Sequence, residues 1–268
     1  MGPGTGDTGP WVVERTRRTV ELLRILAPRE FRTRYRQSVL DIAWSLISPI
    51  VILIVYGIIL TGTFKVDGAC SPYLSSAWTG LVIWTFFATA VGTATWSLLG
   101  ASDLLAKVYF PREVLPLAAV GATLVDLAVG AVTVVIVVIV QDVGLTVHAL
   151  GAIVCVLVAV VWAAGIAIFV AVLSVFLRDV THGVQLLLRV GFFATPVMYE
   201  SSFLPPALRW SASVNPVAVS IDGVRQSLLC GGTPRWGLIL LQLVVGVVVV
   251  VLGVVYTRSV ESRMVDVI

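Results

Sequence analysis

The sequence predicts an all-α integral membrane protein with six transmembrane helices, an N-terminal amphipathic interface helix and a re-entrant helical pair before the last span. Three observations carry that class. Hydrophobic residues make up 58% of the 268 positions and charged residues 12%, against about 25% charged in an ordinary soluble domain. Mean hydropathy is +1.01 over the full length, so little polar material is left to cover a water-facing surface. Long uncharged stretches then alternate with short segments rich in arginine. This composition excludes a soluble domain, a secreted disulfide scaffold, a disordered chain and a nucleic-acid-binding domain.

The elements follow in chain order. Residues 1–10, MGPGTGDTGP, read as a disordered tail before a single transmembrane domain over 11–268. No apolar run with a small-residue cleavage site follows the tail, so no signal peptide is expected. Residues 12–27, VVERTRRTVELLRILA, interleave Arg with Val20, Leu22, Leu23, Ile25 and Leu26, and Pro28 ends the pattern. A basic amphipathic helix beside a membrane lies in the interface plane. It serves as a simple anchor or also braces a cytoplasmic partner.

A helix needs about 20 apolar residues to cross the hydrocarbon layer. The chain is uncharged between Asp41 and Lys65 and between Asp67 and Asp103, which places spans near 43–62 and 78–100. Further spans fall near 114–140, 149–176, 183–199 and 237–256. The Val and Ile runs are too long, and too free of polar alternation, for barrel strands of about ten residues. Residues 200–235 form a long, sparsely charged segment holding SSFLPPALRW and NPVAVSIDGVRQSLL. Both read as short helices opened by proline. Too short to span, they predict the re-entrant pair.

Orientation follows from Lys and Arg. Thirteen basic residues fall before the first span, in the 100–113 and 177–182 loops and in the C-terminal tail, against four (Lys65, Arg209, Arg225, Arg235) on the other side. That asymmetry places both termini in the cytoplasm. The spans hold one carboxylate, Asp126, and one base, Arg189, each near mid-depth. They read as a structural ion pair or as substrate contacts. Cys70 and Cys230 share the outer, oxidising face, where a disulfide is permitted, although two free thiols are the default expectation. The cysteines and His148 and His182 have no metal-ligand spacing, so no metal is expected.

The chemistry is bounded by what is missing. There is no G-x-x-x-x-G-K-[ST] phosphate loop, so the chain is not expected to bind or hydrolyse ATP itself. No second buried carboxylate supports an ion relay, no filter motif supports a channel, and no catalytic constellation supports a membrane glycosyl- or phosphotransferase. A conduit driven by a separate subunit remains. Tyr56, Trp84, Phe86, Phe87, Trp96, Phe192 and Phe193 do not fit interface belts alone. Aromatic faces can stack on sugars, although helix packing and lipid contact also use such rings.

Four segments, REFRTRYRQSVLDIAWSLISPI (29–50), SDLLAKVYFPREVLPLAAV (102–120), FLRDVTHGVQLLLRVGFFATPVMY (176–199) and NPVAVSIDGVRQSLL (215–229), resemble in order the motifs of type-2 ABC exporter permeases for polysaccharides and polyol phosphates. Asp41 stands where that family usually has glycine. The resemblance implies a homodimer with two cytoplasmic ABC ATPase subunits, which would bind the ATP and Mg; this chain itself would hold no cofactor. It implies ATPase coupling through Ser102, Lys107, Tyr109, Phe110, Pro111, Arg112 and Glu113, with a second contact at Arg178 and Asp179. It implies that the first and fifth spans line the path. There the polar and aromatic candidates are Trp44, Ser45, Ser48 and Tyr56, then Phe192, Phe193, Thr195 and Tyr199, with Phe192, Thr195 and Tyr199 expected on one helical face. The cargo implied is a lipid-linked glycan such as a cell-wall galactan, an O-antigen or a teichoic-acid-like polymer, crossing a bacterial plasma membrane. A drug or lipid exporter of the same fold is the alternative.

Overall fold

The computed structural model describes residues 50–51, 54–55, 72–101, 111–142 and 147–267. All regular elements among them are helical. Seven α-helices are α1 (Tyr73–Ser97), α2 (Val114–Val140), α3 (Gly151–Phe176), α4 (Asp179–Ala194), α5 (Arg209–Val214), α6 (Pro216–Val224) and α7 (Trp236–Val267). Four of the helical segments are long and apolar enough to cross a membrane: α1, α2, α3 with the 3₁₀ turn before it, and α7. The 27 residues of α2 rise about 40 Å, more than a hydrocarbon layer of about 30 Å.

The interface helix over 12–27 and the tail lie outside the described residues. So does the first span, apart from Ile50, Val51, Ile54 and Val55, which are helical and exposed.

The predicted span over 114–140 coincides with α2. Other boundaries move for identifiable reasons. Helix α1 starts at Tyr73, directly after Pro72, whose carbonyl accepts a bond from the Ser75 hydroxyl at 2.8 Å. Helix α4 occupies 179–194 rather than 183–199. Pro196 sets its end: the residue before a proline is driven out of the α region, and Thr195 sits at φ −92°, ψ 137°. Sixteen residues rise about 24 Å, so α4 alone falls short of a full crossing. Helix α7 runs past 256 to Val267, because no Gly or Pro interrupts TRSVESRMVDV.

The long helices alternate in direction. Pro72, the end of α2, the start of α3 and Trp236 share one end of the bundle, called here the pocket end. Leu98, Pro111, Phe176 and Met264 share the other, called the clasp end. Helix α1 is central and packs on α2, α3, α4 and α6, while α7 packs mainly on α3. The α3–α7 seam is closed by small residues: a methyl group on Gly246 would come within 3.0 Å of the Trp162 ring, and one on Gly253 within 3.1 Å of Ile168. Such close approach drives helix association where lipid removes the hydrophobic incentive. The main core runs through α1, α2, α3 and α6. A smaller one at the clasp end gathers Leu98, Leu115, Ala171, Val172, Val175 and Met264.

Candidate functional site

Three arrangements carry chemistry. The first is a groove of about 770 Å³ between α1 and α4, lined among others by Trp84, Thr89, Gln185, Arg189, Phe192 and Phe193. Its aromatic wall is a chain of rings. Trp84 lies 6.1 Å edge-on to Phe192 and Phe192 lies 5.2 Å edge-on to Phe193, while Phe87, buried and outside the lining, lies 5.9 Å from Trp84. Edge-to-face packing at these separations fixes the ring planes. Gly191 allows it, since a Cβ there would sit 2.9 Å from the Trp84 ring. On the same two helices Thr89, Gln185 and Arg189 add a hydroxyl, an amide and a guanidinium to the lining. The groove is mainly apolar, with Leu81, Ala88 and Leu188 beside the rings, and carries a few hydrogen-bonding partners.

Of the expected path residues, Phe192 and Phe193 line this groove, whereas Thr195 and Tyr199 do not. The expected single face of Phe192, Thr195 and Tyr199 is corrected by the break at Pro196. Thr195 is buried and its hydroxyl accepts from Asn215 Nδ2 at 2.8 Å; the Tyr199 hydroxyl donates back to the Phe193 carbonyl at 3.1 Å. Trp44, Ser45, Ser48 and Tyr56 lie outside the described residues. Arg189 lines the groove and is exposed, and Asp126 sits half-buried on α2. The expected ion pair between the two is not among the contacts of the described residues.

The second arrangement is a clasp at the other end of the bundle. Arg112 is 6% exposed and Nη1 donates to the Glu261 carbonyl at 2.8 Å. Glu113 is 2% exposed, and its Oε1 accepts from Arg258 Nε at 3.2 Å and Nη2 at 3.1 Å. These three bonds tie the start of α2 to the last turns of α7. Pro111 is buried beside them. Arg112, expected as an exposed docking contact, is thus committed to a helix of its own chain. Ser102, Lys107, Tyr109 and Phe110 lie outside the described residues. Arg178 and Asp179 are exposed at the start of α4.

The third arrangement surrounds Arg225, at the pocket end. Asn215 caps α6: its side chain accepts from the Val217 and Ala218 amides at 3.0 and 3.3 Å, with Pro216 at the first helical position. The helix then widens into a π segment, Arg225–Leu229. Arg225, counted from sequence among the outer surface charges, is 4% exposed. Its Nε donates to the Ser76 carbonyl at 3.1 Å, Nη1 to Pro196 and Tyr199 at 2.9 and 3.0 Å, and Nη2 to Val197 at 2.6 Å. It supplies the donors that the chain loses where α4 breaks. Asp222 stands 3.7 Å from Nη1 and accepts from the Ser201 hydroxyl. Burial pushes the Asp222 carboxyl above its ordinary range, with the Ser201 hydrogen bond and Arg225 acting against that rise. Nearby, Gln242 of α7 donates to the terminal carbonyls of α5, Ser213 and Val214, at 3.2 and 3.1 Å.

Cys230, after the π segment, is disulfide-bonded, and Cys155 is a buried free thiol. Cys70 lies outside the described residues. No cluster of three metal-ligating side chains occurs among the described residues.

Residues 21–229 match the ABC-2 type transporter family. This chain belongs to that family. It is accordingly a multi-pass membrane permease, the transmembrane subunit of an ABC exporter. Curated relatives extend the match over most of the length. An O-antigen export system permease protein RfbA of Klebsiella pneumoniae is 25% identical over 92% of this chain and 95% of its own. A second from the same species is 24% identical over the same shares. An RfbA of Myxococcus xanthus is 31% identical over 68% of this chain and 69% of its own.

Proposed function

We propose that this permease exports a lipid-linked polysaccharide across the bacterial plasma membrane, as a homodimer with two cytoplasmic ABC ATPase subunits that bind ATP and Mg. Both termini lie in the cytoplasm, so the clasp end is cytoplasmic and the pocket end faces outward. The first span over 43–62 and α4 complete a six-helix protomer, and α5 and α6 dip back into the outer leaflet as a re-entrant pair.

The observation that carries the reading is the groove between α1 and α4. A glycan crossing an apolar layer needs partners for its hydroxyl groups, because each unpaired one costs several kcal/mol on cyclohexane-type scales. Thr89, Gln185 and Arg189 supply such partners, while the Trp84, Phe192 and Phe193 rings supply stacking faces. The relatives named for O-antigen export support the same cargo class.

The coupling reading divides the expected contacts in two. Segment 102–110, with Arg178 and Asp179, meets the ATPase. Pro111, Arg112 and Glu113 act as a fixed base that passes movement of that segment into α2 and α7 together. Because α4 begins at Asp179, displacement there tilts the groove wall directly.

Replacing Phe192 and Phe193 by Leu keeps apolar bulk and removes two rings. Glycan export is expected to fall at least tenfold with membrane abundance unchanged. Export at the wild-type rate would remove the groove from the path.

A further inference from the structure

At the pocket end lies a separate cavity of about 630 Å³, roofed by the 200–210 loop and α5 and floored by α6 and the start of α7. Ligand pockets commonly enclose about 300–1,000 Å³. Its walls are unlike those of a packing defect. Glu200 and Asp222 supply acceptors, Arg209 and Arg235 supply donors, Gln226 supplies both, and Trp210 contributes an indole. Trp210 is 65% exposed although large and apolar.

The framework is fixed before any ligand arrives. Asp222 is held by Ser201, Arg209 by the Leu204 and Ser202 carbonyls at 3.1 Å each, and α6 by its Asn215 cap. Arg225 also borders the cavity, but its guanidinium is spent on four carbonyls. Two carboxylates therefore share the cavity with three guanidiniums, and the donors left to a ligand are those of Arg235 and the N–H groups of Arg209 not bonded to Leu204 and Ser202. This mixture of acceptors and donors is not a dedicated anion site, since a phosphate or a carboxylate would also meet Glu200 and Asp222. It suits a neutral polyol, whose adjacent hydroxyls donate to carboxylates and accept from guanidiniums, while a ring face stacks on Trp210.

We propose that this cavity is a saccharide-binding subsite on the outer side of the permease, taking one or two neutral sugar units of the glycan as it emerges. The outward placement rests on the export reading; the binding chemistry does not. A subsite here draws the leading end of the polymer away from the groove and disfavours its return.

The test uses the purified full-length chain in nanodiscs, with galactotriose and mannotriose as probes and saturation-transfer NMR as the readout. At least one trisaccharide is expected to receive saturation from the protein. Trp210→Ala combined with Arg235→Ala should weaken that binding about tenfold, by loss of the stacking face and one donor. Both positions are exposed, so thermal unfolding should stay at the wild-type temperature. The Phe192→Leu, Phe193→Leu protein should bind the trisaccharide as the wild type does, which separates this subsite from the groove. Saturation from neither trisaccharide would overturn the proposal. So would undiminished binding in the Trp210, Arg235 variant, or displacement of the sugar by inorganic phosphate. If export of polysaccharide fails while this binding pattern holds, the subsite stands without the export reading. If export works and the sugars do not bind, the subsite alone falls.

Discussion

Replacing Arg225 by Met tests the physical core of the pocket end. Met preserves length and apolar bulk and removes every donor. The Pro196, Val197 and Tyr199 carbonyls, which now accept from Arg225 at 2.6–3.0 Å, then lose that donor. A buried carbonyl left unsatisfied costs about 1–3 kcal/mol, or about 3–9 kcal/mol for three. Relief from burying a guanidinium offsets part of this, so the expected net loss is about 3 kcal/mol. Arg225→Lys should lose about half as much, because one ammonium cannot reach carbonyls spread over four residues. Gly80→Ala strikes the same contact from the other side: its Cβ would lie 2.2 Å from the Val197 oxygen and 2.8 Å from Arg225 Nη2. The double variant should therefore lose less than the sum of the two single losses. The assay is SDS-induced unfolding of the purified chain in mixed micelles, with protease sensitivity of the 196–204 segment as a local readout. If Arg225→Met stays within about 1 kcal/mol of wild type, or if the two losses add fully, the reasoning about the orphaned carbonyls fails.

Other outcomes follow from particular contacts. Arg258→Ala leaves the buried Glu113 carboxylate without its partner and should cost about 2 kcal/mol, discounted because Arg258 is 40% exposed. Adding Glu113→Gln should recover part of that loss in the same unfolding assay. Non-reducing mass analysis of the denatured chain should find Cys155 alkylated and Cys230 not, since Cys230 is disulfide-bonded; alkylation of Cys230 would contradict it. The purified chain alone should show no stoichiometric nucleotide binding by calorimetry, because it has no phosphate-loop sequence.

The spans were most legible where charge marks both ends. Helix α2 starts just after Arg112 and Glu113 and stops just before Asp142, with Asp126 the one charged residue between. The ends were misread where a proline decides them. Pro196 sits inside an apolar run, and hydropathy carries no record of backbone geometry, so a helical face was extended across a break. The same break explains why Arg225 was misplaced. Charge counting treats every loop arginine as a surface group, but the carbonyls released at 196–199 create a buried demand for donors that only the fold brings near residue 225. A sequence signal did exist: Arg225 follows the apolar stretch PVAVSIDGV behind an Asn-Pro cap, an odd setting for a solvated side chain. The aromatic residues that fitted no interface belt were the better guide to the groove. Trp84 and Phe192 come together across 108 positions, a pairing that no spacing along the chain displays. Gln185 and Thr89 reach the same groove by helix position alone. Arg258 was legible as a basic tail residue, whereas its clasp on Glu113 depends on α7 continuing unbroken past the apolar region.

The central claim is that the chain moves a lipid-linked glycan under the drive of a separate ATPase. The direct measurement is reconstitution of the chain with its ABC ATPase subunit in proteoliposomes, following a lipid-linked oligosaccharide and a fluorescent phospholipid side by side. ATP-dependent movement of the glycan, absent when either subunit is omitted and much faster than movement of the phospholipid, is the predicted result. Movement of the phospholipid or of an amphiphilic drug with no movement of the glycan would contradict the account and make the chain a lipid or drug exporter of the same family.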